Sequence, residues 1–551
     1  MGSGVRRARR TLIAEGKMTE QSMQFDYIVV GAGSAGCVLA NRLSRDPNNR
    51  VCLVEGGGSD RTPRIHVPAG TITLYKSERY AYQFMSEPQT HLNNRRIHVP
   101  RGRMLGGSSS MNSMIYIRGD RSDYDTWAAM GCPGWSYDDL LPFFKEAEDN
   151  RLGQSPDFHG RGGELAVDKP RDPNPASRRF VEAAKEIGIA ENSDFNGAKL
   201  EGVGIYNLTQ KDAKRLSSYR AFVHPVLSRA NLTVMTDARV ERLDIVGGAV
   251  TGVTLTKDGK SLTLRAARET VLAAGALGSP EILLKSGIGD GAELRAVGMD
   301  VRHHLPGVGK NLQDHLDGLV TVRSHDSSTL GFSAGSMPRV LASPLKYLAK
   351  KAGWLTTNYV EAGGFARTKY AGDVPDVQFH FVPGYRSHRG RLFEWGHGYA
   401  IHTCVLRPES RGSVFPKRTN GQAELGIDFR FIDKEQDARV LVEGMRLARR
   451  ILGASPFAGI RGAEIAPGPK RMSDEALMDY VRSDASTVFH PSGTCRMGND
   501  EGAVVTPDLK VRGLANLRIA DASIMPTLIS GNTNAPSIMI GQKCAAMMLA
   551  G

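Results

Sequence analysis

Residues 24–36 read QFDYIVVGAGSAG, and the way this stretch is read decides the fold. Tyr27-Ile28-Val29-Val30 is an apolar, β-branched run of strand type. Gly31, Gly33 and Gly36 then fit G-x-G-x-x-G, and Val38, Leu39 and Leu43 continue at helical spacing. This is strand, tight turn, helix. In such a unit the first glycine makes the turn and the second lets the backbone approach a pyrophosphate. The third lets helix and strand pack closely, while the helix N-terminus faces the phosphates. Val51–Val54 forms a second buried strand that ends in Glu55, 19 residues after Gly36, where an acid meets a ribose hydroxyl. An acid there, not a base, favours NAD or FAD over NADP.

The chain has 551 residues, too many for one ordinary core, and reads as two or three domains. Hydrophobic residues make up 40% and charged residues 23%, a globular balance without a run near the roughly 18 apolar residues of a spanning helix. Six cysteines (37, 52, 132, 404, 495, 544) show neither C-x-x-C nor regular spacing, which points to free thiols in the cytoplasm. The formal charge is +13; residues 1–17, MGSGVRRARRTLIAEGK, hold five bases and one acid and leave +9 for the rest. Arg6-Arg7 and Arg9-Arg10 invite a twin-arginine or transit reading, but Thr11-Leu12-Ile13-Ala14 before Glu15 is too short for a signal core. Arg6 also breaks the myristoylation pattern that Gly2 would need. Residues 1–23 are expected to be a disordered extension or tag, with Met18 or Met23 as the start. The remaining positive charge reads as solvated surface, with room for peripheral contact with the inner membrane. No basic run interleaves with aromatics, so nucleic acid is not an expected partner.

Along the chain, residues 56–100 read as an extended loop region and Ser136 as the N-cap of a helix. Leu232-Thr233-Val234, Val240, Val250–Leu255 and Thr270–Ala273 read as strands, with a hairpin turn at Lys257-Asp258-Gly259-Lys260. Residues 325–400 read as irregular and pocket-shaping. Three further segments carry chemistry. Gly102–Asn112 is a Gly/Ser-dense loop rich in donors, fit to cradle a phosphate. Gly275–Leu284 is a loop feeding a helix, with Ser279 as its cap and Pro280 at the first helical position. Leu517–Asp521 is a strand ending in an acid, followed by GNTNAP (531–536) and a helix to about 549.

Taken in order, GAGSAG (31–36), RGRMLGGSSSMN (101–112), GALGSPEILLKSGIG (275–289), GVGKNLQDH (307–315), HPSGTCRMG (490–498), DASIMP (521–526) and GNTNAP resemble the glucose–methanol–choline (GMC) oxidoreductases, over residues 25–549. The resemblance implies an α/β fold: a Rossmann-like FAD-binding domain plus an α+β substrate domain, whose mostly antiparallel sheet is covered by helices. It implies an FAD region over 24–320 with part of the substrate domain inserted around 151–200, the substrate domain over 321–480, and a return to the FAD domain over 481–551. The FAD contacts it implies are Gly31, Gly33, Ser34, Ala35 and Gly36, then Glu55 and Gly56, and in the third segment Arg103, Leu105, Gly106, Gly107, Ser108, Met111, Asn112, Ser113 and Met114. Val240, Ala274, Gly275, Asp521, Ala522, Asn532, Thr533 and Asn534 complete the set.

By the same resemblance His490 is the base that takes the alcohol proton, a task suited to an imidazole, while flavin N5 accepts the hydride. Asn534 is the expected donor to the developing alkoxide, with Asn532 as its competitor two residues away. Phe489, His490 and Asn534 are the expected substrate contacts. Pro536 places the last helix's N-terminus near Asn534, facing the flavin. Relatives with covalently attached FAD carry a His where Met111 stands, and a thioether cannot form that link, so noncovalent FAD is expected. His303, His304 and His315 lack acids or thiols at ligand spacing, so no metal is expected.

The function implied is oxidation of a primary alcohol by a choline dehydrogenase-like, FAD-dependent alcohol dehydrogenase, with a quinone or another carrier as electron acceptor. The alternatives are an O₂-using oxidase of aryl or furanic alcohols, choline oxidation proper, a fatty-acid photodecarboxylase with Cys404 in its channel, and a flavin-binding protein without turnover.

Overall fold

The computed structural model describes residues 23–385 and 395–550, so the expected extension lies outside the described residues up to position 22. The run at 24–30 becomes the strand Gln24–Val30, central in a seven-stranded sheet. Leu232–Met235, Val51–Val54, Gln24–Val30 and the second half of Lys260–Leu272 lie parallel, and Leu517–Ile519 adds one more parallel strand. Val51–Val54 is buried on both faces, which explains its continuous apolar reading. The first half of Lys260–Leu272 turns back antiparallel to Ala249–Lys257, which pairs in turn with Ala238–Val246. Asp258 (φ 50°) and Gly259 (φ 73°) both adopt the left-handed conformation that a two-residue hairpin turn requires.

A second sheet of seven strands is antiparallel, in the order Arg461–Ala466, Leu316–Ser324, Gly398–Val405, Val377–Val382, Ala362–Ala366 and Gly202–Ile205, with Ser486–Thr487 paired beside Leu316–Ser324. Helices Pro175–Glu186 and Glu435–Gly453 cover one face, where Phe180 stacks on Phe381 with ring centres 5.0 Å apart. His380, Val382 and His402 face the opposite way, into a cavity. The second unit thus takes strands from 202–205 and from 316 to 487, against the 321–480 and 151–200 that the sequence suggests.

The described residues of 325–400 are not irregular. They supply the helix Met337–Lys350 and three central strands. The signal is weak because Gly363 and Gly364 look like loop residues; a Cβ on Gly363 would stand 2.0 Å from the Phe379 carbonyl oxygen, so strand packing requires glycine there. Helix Gly275–Lys285 begins four residues ahead of the expected cap, Ser279, and Pro280 lies inside it. Pro280 has no N–H for the Ala276 carbonyl, and the Thr494 hydroxyl donates to that oxygen at 2.6 Å instead. Ser136 caps Tyr137–Ala147 in a reciprocal box with Asp139. No helix among the described residues is long and apolar enough to cross a membrane.

The dinucleotide-type turn depends on Gly36: a Cβ there would lie 1.8 Å from the Gly31 carbonyl oxygen, in the backbone of its own loop. Gly36→Val is expected to lower stability by on the order of 3 kcal/mol or to prevent folding. Thermal melting checks this, and a variant melting with the wild type would contradict the packing role.

Candidate active site

The cavity, of about 400 Å³, opens between the two sheets where the glycine-rich segments converge. Gly31 takes φ 102° and turns the chain at the end of the first strand. Gly106 N–H donates to the Ala32 carbonyl at 2.8 Å, and a Cβ on Gly107 would stand 2.8 Å from Gly33 Cα. The two loops therefore touch backbone to backbone. A Cβ on Gly33 would meet only the Ala273 oxygen, at 3.8 Å, and one on Gly275 would meet nothing within 4 Å; both point into the cavity. Glycines that face open space from a strand–helix turn are what a bound diphosphate needs, so these residues fit a dinucleotide such as FAD.

Glu55 stands at the end of its strand and accepts from Ala32 N–H at 3.0 Å and Gly57 N–H at 2.8 Å. Burial pushes its carboxyl up to about 7 despite these bonds. Asp521 accepts from Gly275 N–H (2.8 Å), the Ser279 hydroxyl (2.6 Å) and Ser523 N–H (2.8 Å), and burial raises its carboxyl above the usual range. Ser34, Ala35, Gly56, Ser108, Met111, Asn112, Ser113, Met114, Val240, Ala274, Ala522 and Thr533 also line the cavity. Four expected contacts do not. Gly36 is spent on packing; Leu105 and Gly106 use their N–H groups on Gly58 and Ala32; Arg103 lies over the Tyr82 ring.

Beside His490 stands Asn532, the expected competitor, rather than Asn534. Asn532 Nδ2 lies 3.2 Å from His490 Nε2, whereas Asn534, the first residue of helix Asn534–Ala550, accepts from the Ser34 hydroxyl at 2.7 Å. Helix geometry turns Asn534 toward the glycine loop and leaves Asn532, in the preceding turn, against the imidazole. The amide of Asn532 is oriented by Gln378, whose Nε2 donates to its Oδ1 at 3.1 Å.

His315 does not stand with His303 and His304. Its Nδ1 lies 2.9 Å from His490 Nδ1, and its Nε2 lies 3.1 Å from the Leu406 carbonyl. His303 meets the Arg512 carbonyl and His304 accepts from Gly291 N–H. No group of three potential metal ligands is found among the described residues. Burial lowers the pKa of His490 well below the ordinary value, with His315, His380 and Arg101 adding to the effect, and burial pushes His315 down to about 3. Burial thus disfavours the charged form of both rings.

Asp314 ties the two histidine segments together, accepting from the backbone N–H of His490 and of His315, each at 2.8 Å, and from the Thr487 hydroxyl. Phe489, with φ 70°, holds a conformation uncommon for a bulky residue. Its N–H donates to Thr487 Oγ1 at 2.7 Å, and both terminal nitrogens of Arg101 donate to its carbonyl at 3.0 Å. On the second sheet His380 and His402 face the cavity from opposed strand positions, and His402 Nδ1 lies 2.7 Å from Asp317 Oδ2. Cys404 is buried with its thiol pKa raised by burial, and it does not line the cavity. Sequence reasoning missed Asp314, Gln378, His380 and Arg101; the alternation in Val377–Val382, VQFHFV, was the signal for two of them.

The profile described as GMC oxidoreductase matches residues 25–317 in its N-terminal part and 408–541 in its C-terminal part. An alcohol dehydrogenase [acceptor] of Pseudomonas putida is 43% identical over 527 residues, covering 95% of this chain and 96% of that one. An oxygen-dependent choline dehydrogenase of Photobacterium profundum is 38% identical, covering 95% and 93%. Among solved structures, pyridoxine 4-oxidase from Mesorbium loti superposes with a TM-score of 0.87 at 31% identity, covering 96% and 99%. By sequence and by fold, the chain belongs to the GMC oxidoreductase family.

Proposed function

We propose that the protein oxidises a primary alcohol to the aldehyde, with FAD held noncovalently in the cavity and electrons passed on to a quinone or similar carrier. The observation that carries this reading is His490 Nε2 facing Asn532 Nδ2 at 3.2 Å inside that cavity. Bound FAD supplies the hydride acceptor.

The chain's own groups handle the proton. The Leu406 carbonyl can only accept, so His315 Nε2 carries the proton and its Nδ1 presents a lone pair. His490 Nδ1–H must then donate to His315 Nδ1, which leaves His490 Nε2 unprotonated and facing the cavity. A hydroxyl bound between His490 and Asn532 donates to Nε2 and accepts from the Asn532 amide as charge develops on its oxygen. The N-terminus of Asn534–Ala550 opens on the cavity through Thr533, Asn534 and Ser537, which favours negative charge there. Met111 offers a thioether, which cannot form a histidyl link to the cofactor, and this supports noncovalent binding. The bracketed "acceptor" in the name of the Pseudomonas putida relative supports a carrier for the electrons. Six free, buried cysteines support a reducing compartment such as the cytoplasm.

Anaerobic mixing with choline, medium-chain alcohols, benzyl alcohols and hydroxymethylfurfural should bleach the flavin with at least one class; bleaching by none would contradict alcohol oxidation. His490→Ala should retain FAD and reduce it about 10²–10⁴-fold more slowly, and Asn532→Ala about 10²–10³-fold more slowly. Asn534→Ala should leave that rate within a small factor; a larger loss there than at Asn532 would restore Asn534 as the donor. Gly33→Val should fold but purify colourless, because its Cβ meets protein only at ordinary contact distance, 3.8 Å from the Ala273 oxygen, while the side chain fills the diphosphate approach. Acid precipitation of the wild type should release all its flavin, and yellow colour retained in the pellet would overturn noncovalent binding.

A further inference from the structure

The helix Met337–Lys350 stands almost clear of the protein. Only Ser343 and Tyr347 are buried, and the Tyr347 hydroxyl anchors the helix by donating to the Ala213 carbonyl at 3.0 Å. On its outer face Leu341, Leu345 and Leu348 are 71%, 73% and 69% exposed, the most exposed large apolar side chains among the described residues. Their spacing places them on one stripe. Trp395, also exposed, is joined through a backbone bridge to Phe332, just ahead of the helix, and the Phe332 ring meets Trp354, just after it. These aromatics flank the helix in the chain, and the Trp354 ring lies against the Arg339 guanidinium, 5.9 Å away.

The face of the helix opposite the leucines carries charge of one sign. From 327 to 360 the chain carries Arg339, Lys346, Lys350 and Lys351 and no acid. Asp172 approaches from outside the segment, 3.5 Å from Lys346. Protruding leucines on one face of an exposed helix and bases on the opposite face match an interfacial helix on a fluid surface with anionic headgroups, which closes around side chains of any outline. A folded protein partner would need preformed holes for three leucines and acids opposite the bases.

We propose that the Met337–Lys350 helix docks the protein on an anionic lipid bilayer, with the three leucines in the acyl boundary and the bases at the headgroups. The docking element lies outside the cavity, so the inference stands independently of the alcohol chemistry.

The test is flotation of the FAD-loaded full chain with phosphatidylcholine vesicles, with and without about one-third phosphatidylglycerol, at low and physiological salt. The wild type should float with the anionic vesicles, less so as salt rises. The triple change Leu341→Ser, Leu345→Ser, Leu348→Ser should lower partitioning by more than about tenfold while keeping FAD and melting temperature. Arg339→Glu with Lys350→Glu should lower it roughly fivefold per charge and abolish the preference for anionic lipid. Failure of the wild type to float, or equal flotation of the triple variant, would overturn the proposal. So would light scattering that shows a wild-type dimer and a triple-variant monomer with no vesicle binding, because the stripe would then be covered by a second copy of the chain.

Discussion

Two imidazole nitrogens 2.9 Å apart share one hydrogen, and which ring supplies it decides what the proposed site can do. The Leu406 backbone carbonyl, 3.1 Å from His315 Nε2, favours His490 as the donor, since a carbonyl has no hydrogen to give. In the proposed mechanism that direction gives Asn532 a lone pair on His490 to face, and gives the alcohol a base. Asp314 makes the contact rigid, because one buried carboxylate holds the backbone of both histidines and the Thr487 hydroxyl. The same burial that disfavours charge on both rings pushes this carboxyl up to about 6, and hydrogen bonds hold the clamp.

The cofactor cradle is built by a different means. Its parts come from positions 31–35, 107–114, 273–275, 521–522 and 532–537, which meet because the long strand Lys260–Leu272 pairs with both Gln24–Val30 and Leu517–Ile519. The glycines divide by role. Gly36 and Gly541 let helices approach neighbouring backbone, while Gly33 and Gly275 leave space that the protein itself does not use. The second sheet closes the site from the other side: its helix-covered face is aromatic and aliphatic, and its cavity face carries His380, His402 and Asp317.

Most of the cradle was legible in the sequence because its chemistry is local. A strand, three glycines and an acid at the end of the next strand lie within about thirty residues, and each residue type has a physical reason to be there. Asn532 was harder to read. Two asparagines separated by one threonine are chemically alike, and only the start of the last helix decides which faces the imidazole. His315 lies 175 residues from His490 and carries no local mark of its role, so it reads as one of several scattered histidines. Arg103, Leu105 and Gly106 sit in the right loop but spend their groups on holding it. The strands of 362–405 were hidden by glycines that close packing requires.

The central claim is that Leu406, through His315, leaves His490 with a bare Nε2 toward the cavity. Neutron diffraction from deuterated, oxidised holoenzyme crystals tests it most directly. The account predicts deuterium on His315 Nε2 and on His490 Nδ1, with none on His490 Nε2. Deuterium on His490 Nε2, with His315 Nδ1 as the donor between the rings, would contradict it.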